Sequence, residues 1–193
     1  MIAQRSNQDP VTPLGRVAEL PSGITADEFK GAFRNHAGGV AVITADTGSG
    51  PVGLTATSVI SVSAEPPLLV FSVSEQSSST PTLKEADTIV VHLLGADQLD
   101  IAKLCATSGI DRFADTSIWA RLATGEPFFP AAHAWLRCRV VNKMAAGGAT
   151  VIAAQALQAV SPDLADPTFD GSAERPLVYH NRKWHVLGEH SQL

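Results

Sequence analysis

The spacing of apolar and polar positions changes several times along the chain, and each change marks an element. Residues 1–22 show no period; they are polar and mixed, with Pro10, Pro13 and Pro21, and predict a loose arm before a single domain over 23–193. Thr25-Ala26-Asp27-Glu28 has the form of a capping box. Phe29, Ala32, Phe33 and His36 follow at helical spacing, which predicts a helix over 26–35 that Gly38-Gly39 stops. From Val40 the pattern is that of strands. Val40 to Thr44 reads as a strand, Asp46 to Gly50 is turn material, and Pro51 to Thr55 returns. Ser58 to Ser63 alternates Val59, Ile60 and Val62 with serines, and Leu68 to Val73 is almost wholly apolar. Closely spaced strands of this kind form a meander.

Two short helices interrupt it. Thr80 to Glu85 is predicted helical, with Thr80 as cap and Pro81 at the first position; Asp97 is expected to cap another that runs to about Ala106. Thr88 to Leu94 is a further strand, and Ser117 to Pro130 shows no regular pattern. Ala134 to Lys143 and Thr150 to Val160 predict two long strands around Ala146-Gly147-Gly148. Leu177 to His180 and Lys183 to Val186 predict a hairpin turning at Asn181-Arg182. Many strands with few, short helices predict a mainly β (α+β) barrel rather than alternating βαβ units.

Composition narrows the classes of function. The 193 residues are 45% apolar, and the net charge is -5, with no basic stripe to follow a nucleic acid. No apolar run is long enough to span a bilayer. The first residues lack a basic patch followed by an apolar core, so no signal peptide and a cytoplasmic location are expected. Cys105 and Cys138 are too few for a disulfide framework and read as buried thiols. The six histidines are scattered and predict no metal site.

Three stretches could carry chemistry. Thr55, Ala56, Thr57 and Ser58 gather small and hydroxyl residues between two strands, where a ligand could approach the backbone; they also suit an ordinary β-hairpin. Ser77, Ser78, Ser79 and Thr80 lead into a helix, where hydroxyls and free N–H groups could hold a phosphate, or could merely cap the helix. Arg112 could supply a fixed positive charge and Phe113 could pack near a flat ring; alternatively they are a surface Arg beside a core Phe.

Taken in order, these stretches resemble the flavin reductase-like family of FMN-binding split barrels. The resemblance runs from about Phe29 to His185. It is carried most specifically by the block from Gly53 to Pro67, with Gly39 to Thr44, Ser77 to Thr80, Val90 to Leu94, Asp111-Arg112-Phe113, Ala134 to Cys138 and Pro176 to Tyr179 in sequence around it. It implies a split β-barrel with short peripheral helices, a homodimer, and a flavin, FMN or FAD, in a groove between subunits. It further implies that Thr55, Ala56, Thr57 and Ser58 border the flavin ring and ribityl chain. Ser77, Ser78, Ser79, Thr80 and Arg112 would surround the phosphate. His92 falls where relatives often place an Asn beside the flavin.

The activity implied is NAD(P)H-dependent reduction of flavin, with NADH or NADPH as co-substrate and reduced flavin passed to a partner monooxygenase. Such a protein need only hold the two rings face to face, so no catalytic acid or base is expected. One segment departs from the family pattern. Many members carry Gly-Asp-His in the turn before the last long strand, and the His forms part of the nicotinamide pocket; here the chain reads Gly147-Gly148-Ala149. Weak use of NADH is the expected consequence, and a flavin carrier, store or electron-transfer module is the alternative to the enzyme.

Overall fold

The structure, a computed structural model, describes residues 22–162 and 175–192. The predicted arm therefore lies almost wholly outside the described residues. The chain divides into two compact units, residues 1–33 and 34–193. In the first, helix α1 (Ala26–Arg34) starts as the sequence predicts. Glu28 accepts from the Thr25 N–H at 2.8 Å and the Glu28 N–H donates back to the Thr25 hydroxyl at 3.2 Å, so the capping box is closed.

The second unit is built on one antiparallel sheet. Its strands are β2 (Ala41–Ala45), β3 (Val52–Ala56), β4 (Ile60–Ser63), β5 (Leu68–Ser74), β6 (Thr88–Leu93), β9 (Ala134–Ala146) and β10 (Ala149–Val160). Their order is β3-β2-β6-β9-β10-β5-β4. A separate three-stranded sheet holds β1 (Gly38–Gly39), β11 (Leu177–His180) and β12 (Lys183–Val186). The sheet curls until its two ends meet, but no ladder closes it. Ser58, in the link between β3 and β4, bridges the seam: its hydroxyl donates to Ser72 O at 3.2 Å and accepts from Ser72 N at 3.0 Å. This is a split barrel. Bulges at Val141 of β9 and Leu157 of β10, each skipped in the register between the two strands, help this pair to bend.

Strand β2 explains its own apolar run. Successive side chains point to opposite faces, and both faces here are buried. Ala41, Ile43 and Ala45 enter the barrel core with Phe71, Ile89, Val91 and Ile152. Val40 and Val42 enter a second core with Cys105, Phe113 and Phe129. Helix α3 (Leu99–Ala106) covers β3 and adds Ala102 and Cys105 to that second core. Each fully buried side chain of Val or Ile size contributes about 1.5–3 kcal/mol by leaving water.

Several details differ from the sequence expectation. Gly38-Gly39 does not stop α1, which already ends at Arg34; it pairs with Tyr179 and Val178 as β1. A Cβ at Gly38 would lie 3.0 Å from both Thr57 Cβ and Thr57 O, so any side chain here must displace Thr57 by a few tenths of an ångström. Ser79, not Thr80, stands at the N-cap position of helix α2 (Thr80–Glu85) and makes no side-chain capping bond, while the Thr80 hydroxyl donates to Ser74 O at 2.6 Å. Asp97 lies within a 3-10 turn (Ala96–Gln98) ahead of α3 and does not cap it; Gln98 closes that turn by accepting from Gly95 N at 2.7 Å. The stretch expected to be irregular contains a small pair, β7 (Ala120–Arg121) with β8 (Pro127–Phe128). The Asn181-Arg182 turn holds, with φ of 47° and 60°, the backbone of a tight two-residue hairpin.

Candidate functional site

At the seam, the edge of β3 that does not pair with β2 faces a groove. Its volume is about 510 Å³, within the range of small-molecule sites. One wall is Leu54 to Ala56 of β3 with Thr57 and Ser58 of the following link; the other is Ser72, Val73 and Ser74 of β5. Ser77 and Arg112 stand at one part of the rim, and Gly148 and Ala149 of the β9–β10 turn stand at another. Cys105 and Ala106, at the end of α3, line it as well. Nearly every lining side chain is small, so a flat ring can come close to the backbone.

Arg112 is held in place from two sides. Its Nε and Nη2 donate to Thr107 O at 3.0 and 2.7 Å, and its Nη1 donates to the Ser79 hydroxyl at 3.0 Å. Thr107 is the C-cap residue of α3, so the guanidinium sits where a helix end favours a cation. Three of its five N–H groups are thereby used, leaving one on each terminal nitrogen. Ser79 is itself buried and passes its own proton to Gly53 O at 2.9 Å, tying Arg112 to β3. Thr55 donates to Ala102 O at 2.6 Å, which fixes β3 against α3.

Thr55, Ala56, Thr57, Ser58, Ser77 and Arg112 are thus brought together. Ser78 is exposed outside the groove, and Ser79 and Thr80 are buried behind it with their hydroxyls committed. His92 and Phe113 do not reach the groove. His92 is fully buried; its Nε2 accepts from Phe129 N–H at 3.1 Å, so Nδ1 carries the proton and donates to Val42 O at 3.0 Å. Burial pushes its pKa down to about 4, which keeps the ring neutral. Phe113 stacks on Phe129 in the second core, ring centres 5.7 Å apart. Both positions are apolar interior, which explains why a polar ligand is not offered either side chain.

No Asp, Glu or His lines the groove among the described residues. The Cys105 thiol is pushed up to about 12 by burial and stays protonated. The groove can therefore bind and orient, and it offers no group suited to proton transfer near neutral pH.

The sequence profile of the flavin reductase like domain matches residues 33–188. The chain belongs to the flavin reductase-like family. An NADH:FMN oxidoreductase of Rhodococcus erythropolis is 41% identical over 184 residues, covering 95% of this chain and 93% of that one. The reductase component of a 4-nitrophenol 4-monooxygenase/4-nitrocatechol 2-monooxygenase from Rhodococcus opacus is 30% identical over 68% of this chain and 70% of its own. Among solved structures, the Streptomyces globisporus NADH:FAD oxidoreductase in complex with NAD and FAD fragments superposes with a TM-score of 0.75. It is 26% identical and covers 91% of this chain and 100% of that one.

The β5 wall of the groove is not announced by the chain: Ser72 lies within the apolar run of Leu68 to Val73, and β5 extends through Ser74, two residues on, which puts both serines on one face. The turn at Gly147-Gly148-Ala149, singled out for its departure from the family pattern, borders the same groove as Arg112. Its positive φ belongs to Gly147, at 62°, and Gly148 has open space around its Cα.

Proposed function

We propose that this chain is an NAD(P)H-dependent flavin reductase that binds FMN or FAD in the seam groove, takes its electrons from NADH, and supplies reduced flavin to a partner monooxygenase. The observation that carries the reading is the groove itself: small residues along an unpaired strand edge, one braced guanidinium with two uncommitted N–H groups, and no acid or base. The residues fit a flavin. Thr55 to Ser58 would lie along the ring and ribityl chain, where the free edge of β3 can meet the polar edge of the ring. Ser77 and Arg112 would take the phosphate, the guanidinium by charge-assisted hydrogen bonds. Gly148 and Ala149 leave room for a nicotinamide. Bound flavin supplies the hydride-accepting chemistry. The protein's part is to hold both rings in contact and keep them oriented.

The homodimer is part of the same proposal. Edge strand β4 exposes Ile60 and Val62, and Leu93, Leu157 and Val160 are also exposed, an apolar surface that a second copy would cover. Both cysteines are unpaired, in keeping with a reducing cytoplasm. No helix among the described residues is long and apolar enough to cross a membrane. The missing Asp and His at the turn favour a second reading, a flavin carrier that does not use NADH. Adding NADH to flavin-loaded protein without oxygen separates the two: rapid bleaching of the flavin band supports the reductase, and bleaching by dithionite alone supports the carrier. Light scattering at micromolar concentration should give a dimer; a flavin-loaded monomer would refute that part.

A further inference from the structure

A second cavity, of about 400 Å³, opens beside the flavin groove. Its walls include Val52, Thr82, Asp111, Phe113 and Trp119. None of these lines the groove, yet the two spaces are neighbours. Asp111 and Phe113 flank Arg112 in the chain, and Arg112 lines the groove. Gly53 stands between them: a Cβ there would meet Cys105 Sγ of the groove at 3.3 Å and Phe113 Cζ of the cavity at 3.4 Å. Val52 and Thr55 lie on the two sides, three residues apart on β3, a separation of roughly 10 Å.

The chemistry of the cavity is not that of the groove. Trp119 presents a half-buried indole whose own N–H is already spent on Phe113 O at 2.9 Å, so the ring offers no donor. Arg121 lies over the ring, its guanidinium carbon 5.6 Å from the ring centre, and Phe113 meets it edge-on at 5.2 Å, so a base has only the part of the indole that these two leave open. Asp111 accepts from the Phe113 N–H through Oδ1 at 2.9 Å, and its Oδ2 has no hydrogen-bond partner among the described residues. The Thr82 hydroxyl is likewise uncommitted. A carboxylate repels a phosphate but accepts well from a sugar diol. An aromatic face takes a flat base, whatever its identity. Together these suit a neutral nucleoside.

We propose that this cavity is a subsite for the adenosine half of a dinucleotide whose diphosphate passes Arg112, the base lying against Trp119 and the ribose hydroxyls donating to Asp111. The inference rests on the groove being the flavin site, because that places a phosphate at Arg112, next to the cavity. FAD meets the description with its FMN half in the groove; NADH meets it with its nicotinamide half there.

The test compares FAD, FMN and NADH on the full-length protein and two variants. Thr82→Trp fills the cavity, and Asp111→Asn removes the charge while keeping an acceptor for the Phe113 N–H. Flavin dissociation constants come from fluorescence quenching, and the NADH KM is measured with FMN as acceptor. With FAD as the occupant, Thr82→Trp should weaken FAD by about tenfold or more and Asp111→Asn by a smaller factor, while FMN affinity and the NADH KM hold within about twofold. With NADH as the occupant, the NADH KM rises by a similar factor and FAD follows FMN. If neither dinucleotide is affected in either variant, or if FMN weakens as much as FAD, the cavity is not an adenosine subsite. A wild-type protein that binds neither flavin would instead overturn the reading of the groove, a distinguishable result.

Discussion

Arg112→Ala is the sharpest test of how the groove recognises a phosphate. The change removes two bonds to Thr107 O and one to Ser79, along with the two N–H groups left for a ligand. These losses are felt in different measurements. The internal bonds act on stability: each is worth about 0.5–1.5 kcal/mol net, and two of them share one acceptor and are exposed, so a total near 2 kcal/mol is reasonable. At about 2–4 °C per kcal/mol for a chain of this size, the melting temperature of the ligand-free protein should fall by roughly 4–8 °C. The ligand-facing N–H groups act on affinity. A hydrogen bond to a charged partner is worth about 1.5–3 kcal/mol, so FMN should bind about ten to a hundred times more weakly. Riboflavin has the same ring and ribityl chain without the phosphate, and its affinity should change by less than about threefold. Titration of both ligands into both proteins by fluorescence quenching, below the melting range, gives the comparison. Equal losses for FMN and riboflavin would mean that Arg112 only braces Thr107 and Ser79, and the phosphate assignment would fall.

Three further outcomes are expected. Gly148→Asp with Ala149→His should raise the rate of NADH-driven flavin reduction and leave FMN affinity nearly unchanged, since Gly148 has open space and the positive φ sits at Gly147; fast NADH oxidation by the native protein, or loss of FMN by the pair, would count against it. Gly38→Ala should push Thr57 by a few tenths of an ångström, cost about 1–3 kcal/mol of stability and weaken flavin binding; an unchanged FMN dissociation constant would show that Thr57 does not border the ring. Acid should destabilise the fold in two stages. The His92 ring, held neutral by burial with a pKa of about 4 against 6.5 in the unfolded chain, binds its proton only on unfolding, so stability falls by about 3 kcal/mol as pH drops from 6.5 to 4. At Glu126, burial works against ionisation but hydrogen bonds from Arg137, Thr124 and Thr88 outweigh it and hold the pKa at about 2, so its contribution, present above 4.5, is lost below that pH. A urea midpoint that stays flat from pH 7 to 4.5 would refute the His92 argument.

The sequence made the strands legible because β2, β5, β6, β9 and β10 face interior on one or both sides, and burial writes itself into the chain as apolar runs. The terminal hairpin was legible from its turn residues. What was not legible is where polar side chains near element ends point. Thr80 and Asp97 look like caps because Thr and Asp commonly cap. The choice between Ser79 and Thr80 is made instead by tertiary partners: Gly53 O and Arg112 for one, Ser74 O for the other. Gly38 shows the same limit. Its apparent role as a helix stop is local, whereas its actual constraint is Thr57, 19 positions away.

The site was legible in the same uneven way, and the reason lies in how a split barrel makes a groove. Thr55 to Ser58 and Arg112 were identified because each stands in a short stretch with its own composition. Ser72 was not, because its strand is apolar on its inner face and only the seam turns its outer face toward a ligand. A barrel closed by a ladder between β3 and β5 would spend those edge groups on each other. Here Ser58 makes the closure with a side chain alone, bonding Ser72 through both N–H and C=O. Ser58 therefore holds the two walls at their working distance as well as lining them. Ser58→Ala should leave the core untouched, since that residue lies outside both clusters, yet free the Ser72 backbone groups and loosen the seam. The expected result is a modest loss of stability, about 1 kcal/mol for the two partly exposed bonds, with a larger proportional loss of flavin affinity. Faster hydrogen exchange confined to Ser72 and its neighbours would locate the effect at the seam. Exchange that rises throughout the barrel would show instead that Ser58 supports the fold as a whole, and that the groove has no separate closure.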